Sequence, residues 1–289
     1  MKKNKKKKFK KREIKKKKLR IKKTKSKTVS KIRKRKRRKI IKKIRRIFKH
    51  KQISKSTKNK RVPTGIAGFD KLISKGFEQG SINLIVGGEG SGKTIFAMQF
   101  LIEGIKRREN VLYITFEESR EEFFENMSKF GWNLEKLEKE GKFTFLEYSP
   151  EKVKMMLDEG GGAIESVIYT KKIKRMVIDS ISSFSLLFEE GQEKRHSVLA
   201  LFDIIRKWDC TTLLTLQKDP LERDEESAYS IEYYPDSLIL LYFVKLQNDR
   251  KRFIEVIKMR GTKHSTETHS FDIGKRGIKV GKKTKLKIE

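Results

Sequence analysis

A glycine-rich segment in the first third of the chain, SINLIVGGEGSGKT at residues 81–94, carries the residue types needed to hold phosphate groups. The apolar run at 82–86 predicts a strand before the glycines, and apolar residues at helical spacing from Ile95 predict a helix after them. Glycines let the backbone turn tightly and direct its N–H groups to one point, where the helix N-terminus adds the positive end of its dipole. The pattern G-x-x-x-x-G-K-T therefore predicts a polyphosphate-binding loop formed by Gly87, Gly88, Glu89, Gly90, Ser91, Gly92, Lys93 and Thr94.

The last two residues of this loop have predicted chemical roles. A lysine at the position of Lys93 contacts the β and γ phosphates of a bound nucleotide, and a hydroxyl at the position of Thr94 binds Mg²⁺. The loop thus predicts ATP or a related triphosphate, together with Mg²⁺, as the ligands.

Carboxylates follow two further predicted strands. The alternating apolar pattern at 111–116 predicts a strand that ends directly before Glu117 and Glu118, where a carboxylate near a γ phosphate can orient water or accept its proton. The run at 176–178 ends in Asp179, which we expect to hold the Mg²⁺ shell opposite the lysine. Turns often begin with Asp-Ser, so the prediction for Asp179 depends on its spacing after the loop. The alternative for the acidic pair is a solvated helix cap ahead of Ser119 and Arg120.

The net charge of +36 is unevenly distributed along the chain. Residues 1–61 contain 36 Lys and Arg against a single acid, Glu13, which leaves residues 62–289 with a net charge of +1. The first segment is predicted to be a disordered basic tail, with a basic amphipathic helix at 40–48. Such a tail could bind nucleic acid, another polyanion or an anionic membrane surface, or remain solvated without a dedicated partner.

The second segment, residues 62–289, is long enough to bury a single core, and we expect one globular domain there. Its single cysteine, Cys210, cannot form an internal disulfide and is expected to be a buried thiol. The longest strongly apolar stretch, residues 238–244, is too short to span a bilayer and is expected to be a core strand. With no secretory signal pattern at the N-terminus, cytoplasmic localisation is the expectation.

Strands that alternate with helical patterns predict an α/β fold with a mainly parallel sheet flanked by helices. Helices are expected at 163–170 and 196–208, and a core strand, TTLLTLQ, at 211–217. Two hairpins close the segment, SLILLYFVKL with RFIEVIKMR and then FDIGKRGIKV.

The order of motifs is similar to that of the KaiC branch of the RecA-like ATPases. T-G-I-x-G-F-D-x-L at 64–72 precedes G-x-x-x-G at 76–80, then the phosphate-loop strand and loop; Lys75 stands where many members have a second glycine. The resemblance covers about residues 62–280. It implies a RecA-like P-loop NTPase fold and a ring, with a hexamer as the expected size, that binds ATP at the interfaces between subunits.

The resemblance also implies roles for individual residues. Glu117 would be the catalytic carboxylate with Glu118 assisting, and Gln217 would sense the γ phosphate. The ending K-M-R-G-T-x-H would place Lys258, Met259, Arg260, Thr262 and His264 against a neighbouring subunit's nucleotide, with Arg260 as the arginine finger. The alternative is a basic strand end on a solvated surface. His264 and His269 make only a weak case for zinc.

Three functional hypotheses follow. The first is an ATP-hydrolysing, KaiC-like protein that acts as a regulatory or motor ATPase on an unidentified protein client. The second is a recombinase-like DNA-repair ATPase that uses the basic tail to bind DNA, although the segment 218–236 contains seven acids and two bases and so opposes DNA binding there. The third is an ATP-gated assembly module with low turnover.

Overall fold

The computed structural model describes residues 60–149, 152, 162–182, 192–221 and 231–284. All of them belong to one of the two units into which the chain divides, Lys58–Glu289. The predicted amphipathic helix at 40–48 and the rest of the tail up to residue 59 lie outside the described residues. Arg61 already pairs with Glu78 in the first strand, one residue before the predicted start of the globular domain.

The described residues form eleven strands. They are β1 (Arg61–Val62), β2 (Phe77–Glu78), β3 (Ile82–Gly87), β4 (Asn110–Thr115), β5 (Phe143–Glu147), β6 (Ile173–Asp179), β7 (Thr211–Gln217), β8 (Ser237–Leu246), β9 (Asp249–Met259), β10 (His269–Gly274) and β11 (Gly277–Lys283). β1 and β2 form a separate two-stranded ribbon, and the other nine form one sheet in the order β11-β10-β9-β8-β3-β7-β6-β4-β5.

Six neighbouring strands of this sheet, from β8 to β5, run parallel, whereas β9, β10 and β11 are antiparallel additions at one side. The predicted α/β fold with a mainly parallel sheet is therefore confirmed. β3 is buried along its whole length and β4 along all but its first residue, because helices cover both faces of a parallel sheet. The alternating pattern predicted a strand with one buried and one solvated face at 111–116. That prediction was wrong, since Val111 to Thr115 are all buried.

Helices pack on both faces of the sheet. In the described residues they are α1 (Phe69–Leu72), α2 (Lys93–Lys106), α3 (Arg120–Ser128), α4 (Leu134–Lys139), α5 (Gly162–Lys171) and α6 (Gln192–Lys207). Phe96 and Phe100 of α2 belong to the hydrophobic cluster on one face, and Ile168 of α5 and Phe202 of α6 to the cluster on the other. The helices predicted before β6 and β7 are thus confirmed. No helix in the described part of the chain is long and apolar enough to cross a membrane.

Cys210 lies in the second of these clusters and is 2% exposed. Burial raises the pKa of its thiol to about 12. The thiol is therefore protonated at neutral pH, which agrees with the predicted structural role.

The parallel strands give the sheet two chemically different ends. β3, β4, β6 and β7 finish at one end with Gly87, Thr115, Asp179 and Gln217, which we call the carboxyl edge. At the other end, the amino edge, β8 starts opposite Asn83 of β3. β9 returns antiparallel to β8, so the end of β9 also lies at the amino edge.

A β-bulge near the end of β9 decides which face its last residues occupy. Leu238 pairs with Lys258, but the next residue, Ile239, pairs with Val256, so Ile257 is an extra residue in the ladder. The bulge turns Lys258 to the face of α6 and turns Met259 into the cluster beneath α2.

Candidate functional site

The glycine-rich loop joins β3 to α2 in the predicted strand, loop and helix context. Gly90 and Gly92 have φ values of 69° and 98°, a region that side chains with a Cβ rarely adopt. A Cβ on Gly92 would also lie only 2.8 Å from Ile273 Cδ1. The glycines are therefore needed for the shape of the loop between β3 and α2.

Lys93 lies across this loop. Its Nζ donates hydrogen bonds of 2.9 Å to the carbonyl oxygens of both Gly87 and Gly88. Burial lowers the pKa of Lys93, while the negative charges of Asp179, Glu117 and Glu89 oppose that shift. The ammonium group is thus held beside acidic residues at the carboxyl edge.

Asp179 is the centre of a hydrogen-bond network at the same edge. Thr94 Oγ1 donates to its Oδ2 at 2.8 Å and Tyr113 Oη donates to the same oxygen at 2.6 Å, while Thr215 Oγ1 donates to Oδ1. Burial, followed by the charge of Asp179, raises the pKa of Tyr113 well above its usual range, so the phenol remains a donor. These three hydroxyls fix the orientation of the carboxylate.

Thr94 and Asp179 fit the predicted Mg²⁺ site. Hydroxyl and carboxylate oxygens are hard ligands of the kind Mg²⁺ prefers, and Mg²⁺ is commonly bound by one or two protein groups plus substrate phosphates. The described residues contain no group of three or more His, Cys, Asp or Glu that could hold a metal ion by themselves. The weak zinc case for His264 and His269 therefore gains no support from these residues.

The acidic pair after β4 faces the same network. The backbone N–H groups of Glu117 and Glu118 both donate to Thr115 Oγ1 at 3.2 Å, and Ser180 Oγ donates to Glu117 Oε1 at 3.0 Å. Burial, then the charges of Asp179 and Glu117, raise the pKa of Glu118. The N-cap of α3 is Ser119, whose side chain accepts from the N–H of Glu122, so neither glutamate serves as the cap in the way the alternative proposed.

Gln217 and Lys218 border the loop from the end of β7. Gln217 pairs with Gly87 in the sheet register, and its N–H donates to Ser182 Oγ at 2.7 Å. The N–H of Lys218 donates to the Gly87 carbonyl at 3.2 Å. Gln217 therefore lies beside the start of the phosphate loop, and its role as a γ-phosphate sensor stays a prediction.

The predicted residues at the end of β9 lie elsewhere. The end of β9 lies level with Asn83 of β3, and the loop begins at Gly87. These two residues are four steps apart, about 13 Å along the strand at about 3.3 Å per residue. Lys258 Nζ donates to the carbonyls of Glu232 and Tyr233, at 3.2 and 3.3 Å. Within one chain, Lys258 and its neighbours are at the amino edge and do not approach the phosphate loop.

Arg260 is held there by two long contacts, from Nη1 to Asp236 Oδ1 and from Nη2 to the Tyr233 carbonyl, both 3.4 Å. Asp236 is shared with Arg206 of α6, whose Nη1 lies 3.2 Å from Oδ2. We call Lys258 and Arg260 the basic pair. The side chain of Arg260 is 54% exposed, so it can leave these contacts to reach another molecule.

Three more residues of the predicted K-M-R-G-T-x-H motif are close to the basic pair in sequence but make different contacts. Met259 is 8% exposed in the core beneath α2, so its side chain faces away from the surface of the basic pair, and its place against a neighbouring subunit's nucleotide stays a prediction. Thr262 Oγ1 accepts from Arg61 Nη1 at 2.8 Å. His264 Nδ1 lies 2.9 Å from the Ser265 carbonyl.

Sequence reasoning missed several residues of the carboxyl edge. Tyr113 and Thr215 carry hydroxyls inside apolar strands, where they were read only as strand formers, and Arg252 donates from β9 to the Gly90 carbonyl at 3.0 Å. Their role depends on the strand order, which places β4 and β7 on either side of β6. The feature of the sequence that could have indicated Tyr113 and Thr215 was a hydroxyl side chain near the end of an apolar strand.

Comparisons with known proteins agree with this architecture. A family model described as "ATPase: KaiC" matches residues 62–285. The Circadian clock protein KaiC3 of Synechocystis sp. is 34% identical over 238 residues, which are 79% of this chain and 47% of that protein. A UPF0273 protein of Thermotoga maritima is 33% identical over 234 residues, 76% of this chain and 96% of that protein. The chain thus spans about half the length of the first relative and nearly all of the second.

A solved structure supports the same assignment. The crystal structure of the KaiC-like protein PH0186 from Pyrococcus horikoshii OT3 is 36% identical, with a TM-score of 0.67, and the similarity covers 77% of this chain and 99% of that one. The RecA-like character of the α/β fold is therefore confirmed, along with the resemblance found in the motifs. From its match over residues 62–285 and these relatives, the chain belongs to the KaiC family of ATPases.

Proposed function

We propose that this protein hydrolyses ATP, with Mg²⁺, at sites formed between adjacent copies of itself in a ring, and that it works as a regulatory or motor ATPase. One observation carries the proposal: the phosphate loop and the basic pair lie at opposite edges of one sheet. A chain therefore holds both halves of a nucleotide site but cannot bring them together. In a head-to-tail ring, the amino edge of one copy can meet the carboxyl edge of the next.

In this proposal, residues of one copy bind the nucleotide and start the reaction. Loop amides and Lys93 bind the phosphates, and Thr94 and Asp179 would hold Mg²⁺, whose charge would offset that of the phosphate oxygens. Glu117 orients a water molecule and accepts its proton while the water oxygen attacks the γ phosphorus. The bond from that phosphorus to the β–γ bridging oxygen breaks, which leaves ADP and inorganic phosphate.

The next copy supplies the remaining charge. Arg260 stabilises the negative charge that develops on the transferred phosphoryl group, and Lys258 adds a second cation nearby. The surroundings of the basic pair suit contact with another copy, because Tyr233 is 61% exposed and the bulged Ile257 is 45% exposed. Exposed aromatic and apolar side chains next to an arginine are typical of the centre of protein interfaces.

The test places the loss of Arg260 and the loss of the acidic pair in two different variants of the protein. Arg260→Ala should leave ATP affinity within a few-fold of the original and lower turnover by about 100-fold, the scale seen when one transition-state donor is removed. The protein with both Glu117→Gln and Glu118→Gln should also be inactive alone. A 1:1 mixture of the two should recover about a quarter of the original turnover, because random head-to-tail mixing pairs an intact acidic pair with an intact Arg260 at that frequency.

The control is Arg107→Ala, which removes a surface arginine of similar exposure that pairs with Glu103 at the end of α2. It should leave turnover unchanged. If the mixture stays inactive although each variant binds ATP and assembles, Arg260 does not act between copies and the proposal is wrong.

A recombinase-like function is not proposed as a second candidate. Residues 218–236 follow β7 and carry seven acids against two bases in the sequence. A local charge of −5 repels a phosphate backbone, so DNA binding at this part of the chain is disfavoured.

A further inference from the structure

A short turn connects the two edges of the sheet within one chain. It is the 3₁₀ turn Ile231–Tyr233, which lies on the face of the sheet that also packs against α6. Glu232 Oε1 lies 3.6 Å from the Nζ of Lys218, the residue that follows β7 at the carboxyl edge. The backbone carbonyls of Glu232 and Tyr233 face the amino edge and accept the hydrogen bonds from Lys258.

The position of the basic pair depends on this turn. Tyr233 supplies one of the two described contacts of the Arg260 guanidinium, and the other is the Asp236 carboxylate that Arg206 also uses. Burial lowers the pKa of Lys258, and the charge of Arg260 lowers it further, so two crowded cations rely on nearby carbonyl oxygens. Movement of the turn would therefore move both cations.

The other end of this connection contacts the phosphate loop. The Gly87 carbonyl accepts from the N–H of Lys218 and also from Lys93 Nζ. To reach a phosphate, Lys93 must give up its hydrogen bonds to the loop carbonyls, which changes the surroundings of the Lys218 backbone. The Lys218–Glu232 ion pair is 26% and 27% exposed, so solvent and salt screen it less than a fully exposed pair.

We propose that Glu232 is a positioning residue for the basic pair, and that its ion pair with Lys218 links the phosphate loop of a subunit to the reach of that subunit's Arg260 into the neighbouring site. The inference rests on the proposed function, since it needs Arg260 to act between copies. Glu232 does not touch the nucleotide. It acts through the turn, in the subunit that supplies Arg260.

The test uses the mixture of two variants, in which one subunit supplies the acidic pair and the other supplies Arg260. The acceptor subunit carries Arg260→Ala and keeps its acidic pair; the donor carries Glu117→Gln with Glu118→Gln and keeps its Arg260. Glu232→Gln, which removes the charge and keeps the shape, is placed in the donor or in the acceptor. In the donor it should lower the turnover of the mixture by about tenfold, as expected for a misplaced transition-state group.

In the acceptor, the same substitution should leave turnover within about twofold, because the acceptor's own basic pair lacks Arg260 and serves no working site. Each placement therefore controls for the other, including for any loss of stability. Lys218→Met in the donor should match the effect of Glu232→Gln, and the two together should cost no more than either alone. The donor's binding of ATP should be unchanged throughout.

Two results would overturn the inference: an equal fall in both placements, which indicates a general structural role, or full turnover with Glu232→Gln in the donor. Full turnover with Lys218→Met in the donor would remove Lys218 from the connection and overturn its second half. Failure of the proposed function is seen separately, as a parent mixture that is inactive before any change at Glu232.

Discussion

The two edges of the central sheet differ in how far one chain completes them. At the carboxyl edge, Asp179 has three hydroxyl donors and Lys93 has two carbonyl acceptors, all from the same chain. At the amino edge, the Arg260 side chain is more than half exposed, and its two contacts within the described part of the chain are both 3.4 Å long. The first edge is pre-organised to bind a ligand, whereas the second presents charge to whatever molecule lies beyond it.

The largest expected effect comes from removing the central cation of the carboxyl edge. Lys93→Ala should abolish detectable ATP binding and lower turnover by at least about 1,000-fold, because the β and γ phosphates lose their only lysine of the loop. Binding is measured with a fluorescent ATP analogue. Lys258→Ala, the same change at the amino edge, should leave the affinity within a few-fold, and equal losses of affinity would break the comparison.

The acidic pair tests whether the carboxyl edge catalyses or only binds. Glu117→Gln with Glu118→Gln should keep ATP affinity and lower turnover by about 10²–10⁴-fold, because no carboxylate remains to accept the proton of water. Release of inorganic phosphate is the measurement. Turnover that survives both substitutions would point to another base, or to the ATP-gated assembly module with low turnover.

A smaller effect is expected from the hydroxyls around Asp179. Tyr113→Phe should raise the Mg²⁺ concentration needed for half-maximal turnover by about tenfold, because outer-shell partners orient metal-binding carboxylates. Tyr242→Phe is the matched control, since its hydroxyl donates to Glu255 at 2.9 Å, on the antiparallel side of the sheet. If both variants respond alike to Mg²⁺, Tyr113 has only a packing role.

The smallest effect concerns stability and its dependence on pH. The pKa of Glu118 is raised in the folded protein, so the stability that its protonated form contributes is present below the ordinary value of 4.5 and is lost as the pH rises through the folded pKa. Glu118→Gln should therefore raise Tm at pH 7 by about 1–3 °C, an effect kept small by partial solvent exposure. Without nucleotide and Mg²⁺, the gain should vanish near pH 4; a gain that persists there would have another cause.

The sequence predicted the carboxyl edge better than the amino edge for a physical reason. The phosphate loop, the acidic pair and Asp179 each follow directly on a strand, and parallel strands bring their carboxyl ends to the same edge. Local pattern was therefore enough to place them together. Tyr113 and Thr215 could not be assigned in this way, because their contact with Asp179 depends on which strands lie beside β6.

At the amino edge, the sequence correctly predicted that the K-M-R motif lies at the end of a strand. It did not predict which faces of the sheet Lys258 and Met259 occupy. Strict alternation along β9 would give Lys258 and Met259 the opposite faces to those they occupy. No feature of the letters RFIEVIKMR marks Ile257 as an extra residue in the ladder. The burial of Met259 was therefore outside the reach of the sequence pattern.

That one extra residue also limits what a text search can recognise. A relative with the same letters, K-M-R included, but with a regularly paired β9 would pass any motif filter. In its folded form, however, the lysine would lie on the face beneath α2 and the methionine on the opposite face. Deletion of Ile257 would instead leave both faces unchanged, because Val256 and Lys258 already pair with adjacent residues of β8. Spelling alone therefore does not show where the lysine points, and the pairing of the strand upstream of the motif has to be compared before a homologue is judged.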